Sequence, residues 1–153
     1  MLAGAALAAL ATPAALVALT TSAAAVSQEA IWVGTNSDFN LDTNWNTGSV
    51  PFGTAFFGTS SISFFADTTI GGWTFNPGAL DYTFNNSFML EFSGAGIAIN
   101  GGSASITNDG DLIFSNASTA GSASITNNGV LEFHNVSTAG AANITNDGDL
   151  IFF

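Results

Sequence analysis

The chain has 153 residues, no Lys or Arg, eleven Asp plus Glu, one His and no Cys, giving a net charge of −11. The missing cations exclude an electrostatic grip on nucleic acid, anionic lipid or phosphate, along with Schiff-base lysine chemistry and the arginine finger, and the missing Cys excludes disulfides, thiol nucleophiles and thiolate metal sites. With 47% hydrophobic and 7% charged residues, the chain is too apolar for an acidic disordered tail, and its many Gly, Asn, Ser and Thr residues predict short strands joined by polar turns.

Residues 1–25 carry no charge, are rich in Ala and run small or apolar from Leu2 to Leu19. Ala23-Ala24-Ala25 supplies the small residues of a cleavage site before Val26, so this stretch is expected to be a helical signal segment or its remnant. The n-region lacks the usual basic residue, which suggests a start upstream of Met1. The other reading is an uncleaved Ala-rich membrane anchor, for which Ala supplies little insertion energy.

Residues 26–61 hold Trp32, Phe39, Trp45, Phe52, Phe56 and Phe57 among Asn, Thr and Gly. This irregular, aromatic-rich stretch is expected to cap the open end of a repeat array. From Ile62 or Ile70 the array itself begins. Trp73-Thr74-Phe75, Leu90-Glu91-Phe92 and Leu112-Ile113-Phe114 are expected to be one strand in successive coils. Leu80-Asp81-Tyr82-Thr83-Phe84 is aligned with Ala104-Ser105-Ile106-Thr107-Asn108.

The clearest signal lies from Gly102 onward, where GSASITNDGDLIFSNA, GSASITNNGVLEFHNV and STAGAANITNDGDLIFF recur with a 19-residue period. Ile106, Ile125 and Ile144 fall in register. So do Asn108, Asn127 and Asn146; Gly110, Gly129 and Gly148; Leu112, Leu131 and Leu150; and Phe114, Phe133 and Phe152. Within a unit, Ala123 and Ile125 alternate with Ser124 and Thr126, and Leu131 and Phe133 alternate with Glu132 and His134. Period-two alternation is the mark of strands with one buried face. The NDG, NNG and STAG segments are corners, because Asn and Gly tolerate positive φ. One such unit cannot bury its apolar face alone, whereas stacked units place Ile on Ile and Phe on Phe.

The predicted fold is therefore all-β: a right-handed parallel β-helix, or β-solenoid, over residues 62–153. Asn108, Asn127 and Asn146 are expected to form an amide ladder along the axis, and Asn116 with Asn135 a second. An antiparallel sandwich explains the alternation but not the fixed period. The pattern runs into Phe153 within a strand, so the chain is expected to be a piece of a longer protein. The strand edges at that uncapped end invite edge-to-edge self-association.

The segments IGGWTFNPGALDYTF (Ile70–Phe84), GAGIAINGGSASITN (Gly94–Asn108) and the STAG…ITN…G…L.F units resemble the passenger region of bacterial autotransporter proteins. The opening WVGTNSDFNLDTNWNTGSVP (Trp32–Pro51) is similar to the start of such passengers. The resemblance implies an extracellular parallel β-helix ahead of an outer-membrane β-barrel, which is expected in a full-length form beyond these 153 residues. It brings no shared catalytic residues.

Chemistry is weighed on the residues themselves. A lyase would use a basic group, and His134 alone is present. Paired carboxylates suffice for hydrolysis, and Asp109, Asp111, Asp147 and Asp149 are candidates by composition. Their recurrence in NDGD turns, with Asn128 and Val130 in the intervening unit, marks them as solvated turn acids. Calcium loops share Asp and Gly with NDGD, but the EF-hand spacing and its terminal Glu are missing. A lone His134 offers no metal pair and is expected at the surface. Trp32, Trp45 and Trp73 are expected in the core or cap rather than stacked on sugars. Asn85, Asn116, Asn135 and Asn143 open N-x-[ST] sequons that any Asn/Ser/Thr-rich repeat produces by chance.

No catalytic, cofactor-binding or metal-ligating residue is assigned. The expected role is that of a non-enzymatic, acidic, exported cell-surface protein of a Gram-negative bacterium, structural or adhesin-like. Its expected partners are surface glycans or a neighbouring cell surface, not nucleic acid. The alternative is a carbohydrate-binding or carbohydrate-processing β-helix, which exposed aromatics beside acids would favour.

Overall fold

Alternating apolar residues build nearly every strand of this molecule, and the polar corners set where each strand stops. The computed structural model describes residues 28–34, 36–57 and 62–153; the expected export segment, residues 1–25, lies outside them. The described residues form twelve strands: β1 (Ala30–Ile31), β2 (Thr54–Phe57), β3 (Ile62–Ser63), β4 (Thr68–Phe75), β5 (Asp81–Asn86), β6 (Met89–Ile99), β7 (Ser103–Asn108), β8 (Asp111–Phe114), β9 (Ser124–Asn127), β10 (Val130–Phe133), β11 (Asn143–Asn146) and β12 (Asp149–Phe152). The helical content of the described residues is one 3-10 turn, Asp42–Asn44.

The strands form two sheets, seven-stranded in the order β1-β2-β4-β6-β8-β10-β12 and five-stranded in the order β11-β9-β7-β5-β3. Every ladder in them is parallel. From β2 onward successive strands alternate between the two sheets, so the chain winds as a parallel β-solenoid of about five turns. Parallel pairing begins at β1, within the 26–61 region.

The 19-residue period appears as strict register. Leu112, Leu131 and Leu150 are aligned, as are Phe114, Phe133 and Phe152. Ile106, Ile125 and Ile144 are aligned on the other sheet. Phe92, Phe114, Phe133 and Phe152 stack at centroid distances of 5.0, 5.1 and 5.0 Å, a little over the strand spacing of a sheet. The stack forms because identical residues recur at identical register positions.

Two sequence alignments upstream need correction. Trp73-Thr74-Phe75 pairs with Ile97-Ala98-Ile99, not with Leu90-Glu91-Phe92, whose partners are Thr68-Thr69-Ile70. The cause is a bend: β4 and β6 each cover two sides of a wide coil, with a register shift between Ile70 and Gly72. At that bend a side chain on Gly94 would lie 2.6 Å from the Gly71 carbonyl oxygen, so glycine permits the close approach. The second correction is a two-residue slip in β5. Tyr82, Phe84 and Asn86 pair with Ala104, Ile106 and Asn108. An even slip keeps Tyr82 and Phe84 facing inward, whereas Leu80, which lies ahead of the strand, is exposed.

The core tapers along the axis. Trp73, Phe75, Tyr82 and Phe84 fill the early coils, with Trp73 stacked on Phe84 at 4.2 Å. In later coils Tyr82 and Phe84 give way to Ala104 and Ile106, then to Ala123 and Ile125. The third side narrows in step. It is a full strand segment at Gly96–Ile99, then single bridges at Thr119 and Thr138. Near the N-terminal end, Trp32, Phe39 and Trp45 are buried and pack edge to face, with centroids 5.1 Å apart for Trp32–Trp45 and 4.9 Å for Phe39–Trp45.

Candidate functional site

The expected amide ladder exists and is longer than the period indicated. Asn86 Nδ2 donates to Asn108 Oδ1, Asn108 Nδ2 to Asn127 Oδ1, and Asn127 Nδ2 to Asn146 Oδ1, each at 2.7 Å. Each of the first three amides also donates to a carbonyl of the next coil: Asp111, Val130 and Asp149 respectively. Asn86, Asn108 and Asn127 are buried, and an amide at such a corner satisfies carbonyls that would otherwise be stranded. Asn86 escaped a fixed-period search because it stands 22 rather than 19 residues from its neighbour.

The second expected ladder is different in kind. Asn116 and Asn135 hold left-handed backbone, with φ of 58° and 60°. Asn tolerates that conformation better than other non-glycine residues. The Asn116 amide donates to the Ser93 carbonyl at 2.9 Å. These residues therefore shape a corner rather than forming a rung-to-rung amide chain. Asn85 and Asn143, the other sequon residues, are exposed on β5 and β11.

The acids sit where turns and strand starts place them. Asp109 and Asp147 are exposed in turns, and Asp109 Oδ1 accepts from Asn128 Nδ2 at 2.8 Å. Asp111 and Asp149 open β8 and β12 with Val130 in register between them. The two are thus separated by two strand spacings, roughly 9.6 Å, too far for carboxylates to share one cation. Among the described residues no group of three His, Asp or Glu is arranged to hold a metal ion.

The outer face of the seven-stranded sheet carries a polar cluster the sequence did not single out. Glu91 accepts from Ser115 Oγ at 2.7 Å and from Thr69 Oγ1 at 3.3 Å. One coil beyond Ser115, His134 Nε2 lies 2.8 Å from Glu132 Oε2, with the His134 side chain 34% exposed. The His134 ring stacks on Phe153 at 4.4 Å. Ser115 gives its hydroxyl proton to Glu91 while His134 Nε2 faces Glu132, so the two pairs are separate contacts. The outer face of the five-stranded sheet is different. Its rows Thr83–Ser105–Ser124–Asn143 and Asn85–Thr107–Thr126–Thr145 are wholly polar and uncharged.

Trp32, Trp45 and Trp73 are all buried, so none presents a ring for stacking on a sugar. A concave feature of the surface lies instead beside β1 and β2. It is a depression of about 330 Å³ lined by Glu29, Ala30, Ile31, Asn46, Phe56 and Asn76. Ile31 and Phe56 are register partners pointing outward, with Ile31 50% exposed. No sequence signal marked it, because Phe56 reads like any other aromatic of the cap region and Asn46 and Asn76 reach it from separate loops.

These features define a parallel β-solenoid whose polar side chains mostly serve neighbouring coils. Compared with known proteins, the chain matches no family model, no curated protein and no solved structure.

Proposed function

We propose that this chain is a non-enzymatic structural element of an exported bacterial surface protein, an extended β-solenoid of the autotransporter-passenger type with an adhesive or spacing role. The observation that carries this reading is the use made of outward polar groups. Ser103 donates to Asp81, Ser115 to Glu91, Asn128 to Asp109 and Thr138 to Thr119. Each of these bonds joins one coil to the next, which makes the surface part of the scaffold and occupies groups that catalysis would need free. The missing Lys and Arg agree with a surface built for display: stacked coils multiply whatever they place outside, here Ser, Thr and Asn.

Immunolabelling of intact producing cells tests the reading. Equal labelling with and without permeabilisation is expected; labelling that requires permeabilisation would overturn it. A second reading, carbohydrate binding, is favoured by the Ile31–Phe56 depression.

A further inference from the structure

The depression beside β1 joins an apolar platform to polar groups that keep hydrogen-bonding capacity among the described residues. Its floor is the outward pair Ile31 and Phe56, held side by side by the β1–β2 ladder. Asn46 stands at its rim and is fixed from both directions: its backbone N–H donates to the Ile31 carbonyl at 3.0 Å, and its Oδ1 accepts the Ile31 N–H at 2.7 Å. That double tether sets the side chain before any ligand arrives, so little conformational entropy is lost on binding. The engaged oxygen leaves Asn46 Nδ2 as the available donor. Among the described residues, Asn46 Nδ2, the Asn76 amide and the Glu29 carboxylate have no hydrogen-bond partner.

A flat apolar patch flanked by an amide donor, a second amide and a carboxylate is the chemistry that recognises a pyranose ring, which has an apolar C–H face and a polar edge. Charge then selects among sugars. The carboxylate of Glu29 has no cation beside it, because the chain contains no Lys or Arg. Uronic and sialic acids would meet unpaired negative charge, whereas an amino group would meet a free carboxylate.

We propose that this depression is a binding subsite for an amino sugar, with Phe56 and Ile31 under the ring, Asn46 and Asn76 on its hydroxyls and Glu29 facing its ammonium group. The proposal rests on the carbohydrate-binding reading, not on the scaffold reading, which stands or falls by surface labelling.

The test is an amide-detected NMR titration of the full chain with a β-1,4-linked glucosamine disaccharide. Cellobiose and digalacturonate are titrated in parallel at equal ionic strength. Shifts at Ile31, Asn46, Phe56 and Asn76 are expected, strongest for the diamine, weaker for cellobiose and none for digalacturonate. Glu29→Gln should reduce diamine affinity to that of cellobiose and leave cellobiose unchanged. Phe56→Ala should weaken both by about three- to tenfold, the range of one aromatic contact. Should Phe56→Ala fail to fold, Asn76→Ala, at an exposed position, carries the same comparison. No shift at these residues with the diamine would overturn the proposal. So would an amine preference that survives Glu29→Gln, because it would show attraction to the overall negative charge alone. Equal binding of digalacturonate would overturn it as well.

Discussion

Replacing Asn108 by Ala tests whether the amide ladder holds the coils together. Asn108 is fully buried, and its side chain has four hydrogen-bond partners, three of which share the two Nδ2 hydrogens, so it makes about three full bonds. Its Oδ1 accepts from Asn86 at 2.7 Å, and its Nδ2 donates to Gly110 O at 3.0 Å, Asn127 Oδ1 at 2.7 Å and Val130 O at 2.9 Å. Ala removes all four contacts, leaves the buried Asn127 Oδ1 without its donor and opens a small void. At about 1 kcal/mol for each bond lost, with added cost for the stranded acceptor, the expected destabilisation is about 3–5 kcal/mol. Asn146→Ala is the internal control. Asn146 is exposed and makes two such bonds, to Gly148 O and from Asn127. Water can replace them, so the expected cost is about 1 kcal/mol or less. Guanidinium unfolding followed by far-UV circular dichroism and by tryptophan emission measures both. Coincident transitions from the two probes license a two-state free energy. An Asn108→Ala cost under about 1 kcal/mol, or an equal cost at Asn146, would refute the claim that buried rungs carry the stability.

Gly129→Ala should destabilise by about 2–3 kcal/mol, because its new methyl group would collide with the Gly110 carbonyl of the adjacent coil and backbone would have to move. Gly78→Ala has open space around it and only an unfavourable φ of 89°, so it should cost about 1–2 kcal/mol in the same unfolding assay. Phe133→Ala, in the middle of the ring stack and buried, should cost about 3–5 kcal/mol; Phe152→Ala should cost clearly less, since that ring is 63% exposed. Because all three Trp are buried, native emission should be blue-shifted and resist acrylamide quenching, and strong quenching without denaturant would contradict the packing of Trp32, Trp45 and Trp73.

The fold class and the later coils were legible because the repeat is literal from Gly102 onward. Equal residues at equal spacing leave one parallel register that puts Ile106, Ile125 and Ile144 in a column. Upstream, the signal failed for a geometric reason. The coils there are wider, a glycine bend lets one strand cover two sides, and the spacing departs from 19. The alternation still puts Trp73 with Phe75, and Tyr82 with Phe84, on one face of their strands, and all four are core residues, although the alignment pairs them with the wrong partners. Asn86 kept its ladder position through the change in spacing because the corner carbonyls require an amide there. The Ile31–Phe56 depression was invisible in the sequence, since it is assembled from β1, β2 and two loops whose proximity exists only once the coil closes. The Glu91–Ser115 bond was hidden likewise, because the two residues meet only through stacking of successive coils.

Every amide-to-amide bond of the ladder runs in the same direction, from the lower-numbered coil to the higher. This makes the 19-residue unit a quantum of length. Excising one whole unit brings an Asn Nδ2 back against an Asn Oδ1, a Phe face against a Phe face and a Gly beneath a carbonyl. Excising half a unit leaves each of them opposite the wrong partner. Mutational gain or loss of sequence in this region should therefore be tolerated in whole coils and rejected in fractions, so that such a chain changes its reach by steps of one strand spacing while its cross-section stays the same.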